Sequence, residues 1–318
     1  MQRAIRFAGL GLALLCLART VSALALNVIS LTAPNTEAFP RVGMYLEVRE
    51  EGGRFVSGLT AGDVTVLENE QQLPVDELME LEPGVQFVVA INPSTAFAPR
   101  DIQGRSRYDD MIAALTQWAR TTAGNDDLSF LMNGAPDAVH LSDPEAWAAA
   151  LEAAPSDHRS TVPNLQILSR AIGVAAASSA RTGMGRAVLF ITPNPERGEF
   201  AALESLGAQA QQNGVRLYIW MVASESYFTT DAARMLQQVA FSTGGQYFAY
   251  SGTETFPDIE PYLEPLRRLY AVTYTSKITT QGNHTLAVEV KTATYQAVSS
   301  HMTFALNVLP PNPILVSP

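Results

Sequence analysis

The chain has 318 residues, 47% of them apolar and 16% charged, with a formal net charge of −10. That length builds one large domain or two modest ones around a real core, and the acidic balance argues against nucleic acid or an anionic membrane as partner. A single cysteine, Cys16, offers no disulfide framework.

The first stretch, MQRAIRFAGLGLALLCLARTVSA, sets Arg3 and Arg6 before an apolar run from Phe7 to Ala18, then small residues at Ser22, Ala23 and Ala25. This is the order of a secretory signal, and the run is too short to span a bilayer comfortably. Residues 1–25 are expected to direct export to the cell envelope or beyond, with cleavage after Ala23 or Ala25; an uncleaved N-terminal anchor is the alternative. Cleavage removes Cys16 together with Arg3, Arg6 and Arg19, and takes the net charge to −13. No later segment approaches membrane-spanning length, so no transmembrane segment beyond the signal is expected.

Residues 26–82 read as a β-rich segment. YLEVRE (45–50) and DVTVLE (63–68) alternate in period two, and the glycines of GGRFVSGLTAG between them serve for reversal. From 83 to 258 strands alternate with helices. The strands are FVVAI (87–91), LSFLM (128–132), AVLFIT (187–192), VRLYIWMV (215–222) and QYFAY (246–250). Helices are expected near 106–122, 144–154, 163–181, 198–213 and 230–242. Met111, Ile112, Leu115, Trp118 and Ala119 recur at helical spacing, and the apolar strand runs suit a parallel sheet covered on both faces. The fold class is therefore α/β, doubly wound, with a mostly parallel sheet. Trp118, Trp147 and Trp220 read as core.

A helix near 256–268 leads into LYAVTYTS (269–276), HTLAVEVK (284–291) and HMTFALNV (301–308), with QGN (281–283) as a tight turn between the first two. Three strands alone would leave open edges. Residues 259–310 are therefore expected to pair with 26–82 in a small β-sandwich into which the α/β unit is inserted, and the proline-rich 311–318 to form a flexible tail.

In open α/β sheets ligands bind beyond the carboxyl ends of the strands, which is where Asn92-Pro93-Ser94-Thr95-Ala96 follows its strand. This order, with GLTAGDVTVLENEQQLPV upstream, NGVRLYIWMV, LQQVAFSTGGQYFAY and LRRLYAVTYTS downstream, resembles bacterial exported proteins built around a von Willebrand factor A (VWA) domain. The resemblance covers most of residues 43 to 291. It implies a metal-ion-dependent adhesion site with a D-x-S-x-S first loop, a threonine from a second loop and an aspartate from a third. Carried over residue by residue, the first loop offers Asn92, Ser94 and Ala96. The threonine falls on or near Pro163, with Thr161 close by, and the last aspartate falls on Pro193. Only Ser94 matches outright, so both negative charges that would offset a dication are missing. A magnesium ion gains little there for the water it gives up.

Rival chemistries are thin. G-x-S-x-G is absent, and His140, His158, His284 and His301 are dispersed, so a hydrolase would need an unorthodox Ser94 with His158 as base. GMG (183–185) lies after a helix and before a strand, the reverse of a phosphate-cradling loop, and reads as a helix stop. The acid pairs Asp109–Asp110, Asp126–Asp127 and Glu50–Glu51 read as solvated charges. Tyr227 and Phe228, in the loop SESYFTTD at the same end of the sheet as Asn92, read as interface anchors, with local packing as the alternative. The expected function is an exported binding module for a protein or a cell-surface polymer, with no metal, no cofactor and no catalysis. Its site comprises Asn92, Ser94, Thr95, Thr161 and Asn194, with Tyr227 and Phe228 at the rim. The alternatives are a weak magnesium site on Asn92, Ser94 and Thr161, and a serine hydrolase using Ser94.

Overall fold

The computed structural model describes residues 26–50, 53–177, 181–293 and 296–307. The expected leader at 1–25, with Cys16, and the tail at 311–318 lie outside the described residues. The chain opens with β1 (Leu26–Leu31), β2 (Arg41–Glu50), β3 (Val64–Glu68), β4 (Gln71–Pro74) and β5 (Glu77–Leu81). An α/β series follows: β6 (Val85–Ile91), α1 (Arg107–Thr121), β7 (Asp127–Met132), β8 (Ala138–Leu141), α2 (Pro144–Glu152), α3 (Gln166–Ala176), β9 (Gly185–Thr192), α4 (Phe200–Gln212), β10 (Arg216–Val222), α5 (Asp231–Ser242), β11 (Tyr247–Tyr250) and α6 (Glu260–Leu263). It closes with β12 (Leu269–Thr275), β13 (Gly282–Lys291), β14 (Gln296–Val298) and β15 (Met302–Leu306).

Strands β6 to β11 form one six-stranded sheet in the order β8-β7-β6-β9-β10-β11, which is 3-2-1-4-5-6 by first appearance. All neighbours are parallel except β7 and β8, which pair antiparallel at the edge. β6 is buried along its whole length, as a central strand covered on both faces must be. One face packs against α1 and α2 through Met111, Leu115, Trp118, Trp147 and Leu151. The other packs against α3, α4 and α5 through Ile172, Leu203, Leu236 and Val239. Local signals start these helices where the apolar periodicity does. The Ser106 hydroxyl accepts from Asp109 N while the Asp109 carboxylate accepts from Ser106 N, and Asp143 caps α2 ahead of Pro144.

The remaining strands form two antiparallel sheets, β1-β2-β12-β5 and β14-β13-β3-β4, with β15 also on β13. Their facing sides share one core, including Leu46, Val48, Val66, Tyr270, Tyr274 and Val288. N- and C-terminal strands thus build one sandwich. The α/β unit leaves after β5 and returns into β12, its antiparallel neighbour, where Leu81 pairs with Leu269.

Three local expectations are corrected. β12 and β13 are not a hairpin: QGN does not turn one back on the other, because both edges of β12 are already taken by β2 and β5. Residues 276–281 instead cross to the second sheet, held by Ser276 N to Pro40 O at 2.8 Å and Lys277 N to Glu68 Oε2 at 2.8 Å. The helix near 256–268 shrinks to α6 and a 3-10 turn, Glu264–Arg267. GMG is no helix stop, since α3 ends at Ala176; Gly185 is where β9 passes the chain, and a Cβ there would meet Leu266 O at 2.4 Å.

Candidate functional site

The strand order reverses between β6 and β9, so the ligand crevice of an open sheet falls at their carboxyl ends. Asn92 occupies that point: its N–H donates to Ile191 O of β9 at 2.8 Å. The side chain is buried and both ends of its amide are used. Nδ2 donates to Thr192 Oγ1 at 3.1 Å, and Oδ1 accepts from Asn164 N at 2.7 Å. Asn92 therefore ties three segments together: its own strand, β9, and the loop that leads into α3.

Ser94, also buried, caps a 3-10 turn, Thr95–Phe97. Its Oγ accepts from Ala96 N at 3.1 Å. Ala96 O in turn accepts from the Arg107 guanidinium at 3.0 Å. Pro193 is buried beside this loop and Thr95 is exposed. Thr161, half-buried, donates its N–H to His158 O at 3.3 Å. Asn194 Oδ1 accepts from Thr230 Oγ1 at 3.4 Å, which ties the loop after β9 to the one after β10.

Asn92, Ser94, Thr161 and Asn194 thus gather at one end of the sheet, largely occupied with backbone and with each other's loops. A divalent cation does not fit these residues. No carboxylate stands at positions 92, 96, 163 or 193, the Asn92 oxygen already serves Asn164, and a guanidinium lies against Ala96. Burial pulls the Arg107 pKa down, against the opposing fields of Tyr250 and Glu254.

The rim is different. Tyr227 ends a 3-10 turn after β10 and is 46% exposed. Phe228 departs from its expected place: it is half-buried and packs on the α3–α4–α5 core, because the turn points it back under the loop. Two further rim residues escaped the sequence reading, Ile102 at 98% and Val162 at 81% exposure. Both are apolar residues in polar loops at strand or helix ends, a signal readable from the sequence once the loops are placed.

The acid pair Asp126–Asp127 is also corrected: both residues are buried rather than solvated. Asp126 accepts from Val85 N and from Arg267, and Asp127 Oδ2 lies 2.9 Å from His140 Nδ1.

His158 lies buried against Tyr108 and Phe97, with ring centroids 4.5 and 5.9 Å away, and its Nε2 has no hydrogen-bond partner among the described residues. Burial holds its pKa below the ordinary histidine range, against the opposing pull of Asp157 and Asp109. The unfolded chain therefore takes up this proton first. Stability is lost as pH falls below the ordinary histidine pKa of about 6.5, with a slope of at most about 1.4 kcal/mol per pH unit. His158→Phe is expected to remove that component, read as a flatter pH dependence in denaturant titrations from neutral to mildly acidic pH. An unchanged slope would contradict the assignment.

No family model and no curated protein matches the chain. Among solved structures, an aerotolerance-related membrane protein from Bacteroides fragilis NCTC 9343 carrying multiple mutations to serine is similar at 18% identity and a TM-score of 0.41, covering 58% of this chain and 98% of that one. The conserved hypothetical protein BatB from Bacteroides thetaiotaomicron follows at 16% and 0.41, covering 58% and 96%. The VWA domain of SpRpn10 is similar at 10% and 0.43, covering 54% and 90%. In this chain the VWA-like, Rossmann-like character of the α/β unit rests on its own strand order, its antiparallel edge and its helices on both faces.

Proposed function

We propose that this chain, whose α/β unit is VWA-like, is an exported binding module that grips another protein or a surface polymer with its strand-end loops. It works without a divalent cation and without catalysis. One observation carries the reading. The switch-point loop spends its polar atoms on its own structure, with both ends of the Asn92 amide engaged, while Ile102, Val162 and Tyr227 present apolar surface from the loops around it. Aromatic and aliphatic rim residues supply contact area that a closed polar floor does not.

Photo-crosslinking on the native cell surface tests this. A crosslinking amino acid at Val162 or Tyr227 is expected to capture a discrete partner, whereas one at Val298, exposed on the sandwich, captures none. Equal capture at all three positions, or none at the loops, removes the support for this face. A fluorophosphonate probe that labels Ser94 in the folded protein would favour hydrolysis instead.

The metal reading has its own test. Magnesium and EDTA are expected to leave the melting temperature of the natural chain unmoved. Asn92→Asp alone is expected to cost about 1–3 kcal/mol, since it buries a charge where Asn92 now donates to Thr192. Combining it with Ala96→Ser, Pro163→Thr and Pro193→Asp is expected to give a protein that magnesium stabilises by mass action. Magnesium stabilisation of the unmodified chain equal to that of the quadruple variant would reverse the reading of the loop.

A further inference from the structure

A second candidate site lies at the far end of the parallel sheet, away from Asn92. A cleft of about 930 Å³ fills the angle between the sheet β1-β2-β12 and the amino-terminal ends of β9 and β10. That is within the range of small-molecule sites, roughly 300–1,000 Å³. The pleat explains the opening. Alternate residues of β2 and β12 (Val42, Met44, Leu46; Tyr270, Val272) fill the sandwich core, which turns Gly43, Tyr45, Glu47 and Ala271 toward the cleft. Gly43 and Ala271 keep it wide.

Its charge runs against that of the chain. Arg49, buried beneath the α/β unit, and Arg216, whose side chain is 20% exposed and lines the cleft, both hydrogen-bond the same oxygen, Oε1 of Glu47. Arg49 also donates to the carbonyls of Gly53 and Pro265. Burial and then the neighbouring charge of Arg216 pull the Arg49 pKa down to about 9, against the opposing fields of Tyr218 and Glu264. Arg186, half-buried, also lines the cleft but from the other face of the sheet, since Arg216 pairs with Ala187 of β9; it donates to Asn213 O at 3.0 Å. The rim cations are matched by acids: Arg41 pairs with Glu77 at 2.8 Å, and Arg268 faces Glu80, Glu82 and Glu264 at 3.7–3.8 Å. Deeper in, the guanidinium groups of Arg49 and Arg216 share the Glu47 carboxylate.

We propose that this cleft is a binding site for a small oxyanion-bearing ligand, a carboxylate or a phosphate, seated against Arg216. A guanidinium fork matches both oxyanions in geometry, and a ligand charge relieves the repulsion between the partly desolvated Arg49 and Arg216 that Glu47 bridges. The inference stands apart from the loop face described above and does not depend on it.

Succinate and inorganic phosphate, titrated separately at ionic strength fixed with sodium chloride, test the site by calorimetry and by melting temperature. At least one is expected to bind saturably, and the two titrations identify which oxyanion the site takes. Gly43→Leu fills the cleft without touching its charges. A Cβ there meets nothing nearer than Val272 O at 4.0 Å, so the sheet accommodates it. It is expected to weaken binding about tenfold or more, as is Arg216→Gln, which keeps the test open if the leucine variant fails to fold. Glu47→Gln leaves Arg49 and Arg216 without their shared carboxylate and is expected to tighten binding several-fold, a direction that general damage to the fold would not give. Absence of saturable binding by both anions, unchanged binding in folded Gly43→Leu, or weaker binding in folded Glu47→Gln would each overturn the proposal.

Discussion

Asp126→Ala is expected to destabilise the protein by about 3–5 kcal/mol, the scale for breaking a buried ion pair by removing one partner. Asp126 accepts from Arg267 through both carboxylate oxygens, at 2.7–3.0 Å, and Oδ1 also accepts from Val85 N at the start of β6. Arg267 continues to Glu260, whose Oε2 accepts from Trp118 Nε1 at 3.1 Å. The network therefore pins β6, α1 and α6 at the end of the sheet where the sandwich joins. Burial pulls the Arg267 pKa down, but its hydrogen bonds to Asp126 and Glu260 more than offset this and hold it above the ordinary range. Removing Asp126 leaves the buried guanidinium with Glu260 as its remaining carboxylate and the Val85 N–H without its acceptor. The double variant Asp126→Ala with Arg267→Met removes both partners of the pair, so its loss is expected to be smaller than the sum of the two single losses. Denaturant unfolding of all four proteins measures this. Strict additivity would show that the pair does not act as a unit.

Gly245→Ala is expected to cost more than Gly244→Ala, although the two glycines are adjacent. Gly244 has a positive φ of 77° and open space around it, so an alanine there pays only the left-handed penalty of about 1–2 kcal/mol. Gly245 has an ordinary φ, but a Cβ would lie 1.9 Å from Leu217 O and 2.5 Å from Leu217 C. Both atoms are backbone of a buried strand. To admit the methyl group, β11 must move off β10, disturbing the Ile219 N to Gln246 O bond of 2.8 Å and the Thr243 hydroxyl that accepts from Leu217 N at 2.9 Å. A loss of about 3 kcal/mol or more is expected, at the upper end for single substitutions. Thermal unfolding of the two variants side by side checks the order. Equal losses would mean that the turn's dihedral angles, not the close approach, require the glycine pair.

The candidate site was legible in position more than in detail. An apolar run breaking at Asn92 was enough to place the loop, and the absence of carboxylates at 92, 96, 163 and 193 was plain from residue identity. That the Asn92 amide reaches Thr192 and Asn164 was not legible, because those residues are 100 and 72 positions away along the chain. Phe228 and Tyr227 look alike in sequence; only the turn between β10 and α5 buries one and exposes the other. The Asp126–Asp127 pair misled for the same reason. Adjacent acids are usually solvated, and the arginine that draws Asp126 inside lies 141 residues further on.

By itself the sequence determined what repeats locally: the alternation of strands and helices in the middle of the chain, the helix starts marked by Ser106 and Asp143, the two β-rich flanks, and the lack of anionic oxygen in the loop after the first central strand. Periodicity and capping act within a few residues, so a linear reading captures them. Tertiary structure alone decided that β12 enters between β2 and β5, which rules out the hairpin with β13, and that the outward face of β2 meets the base of the α/β unit to leave a cleft in which Arg216 shares Glu47 with the buried Arg49. Edge availability and shared charge depend on which distant segments meet at the same place, and no short window of sequence carries that information.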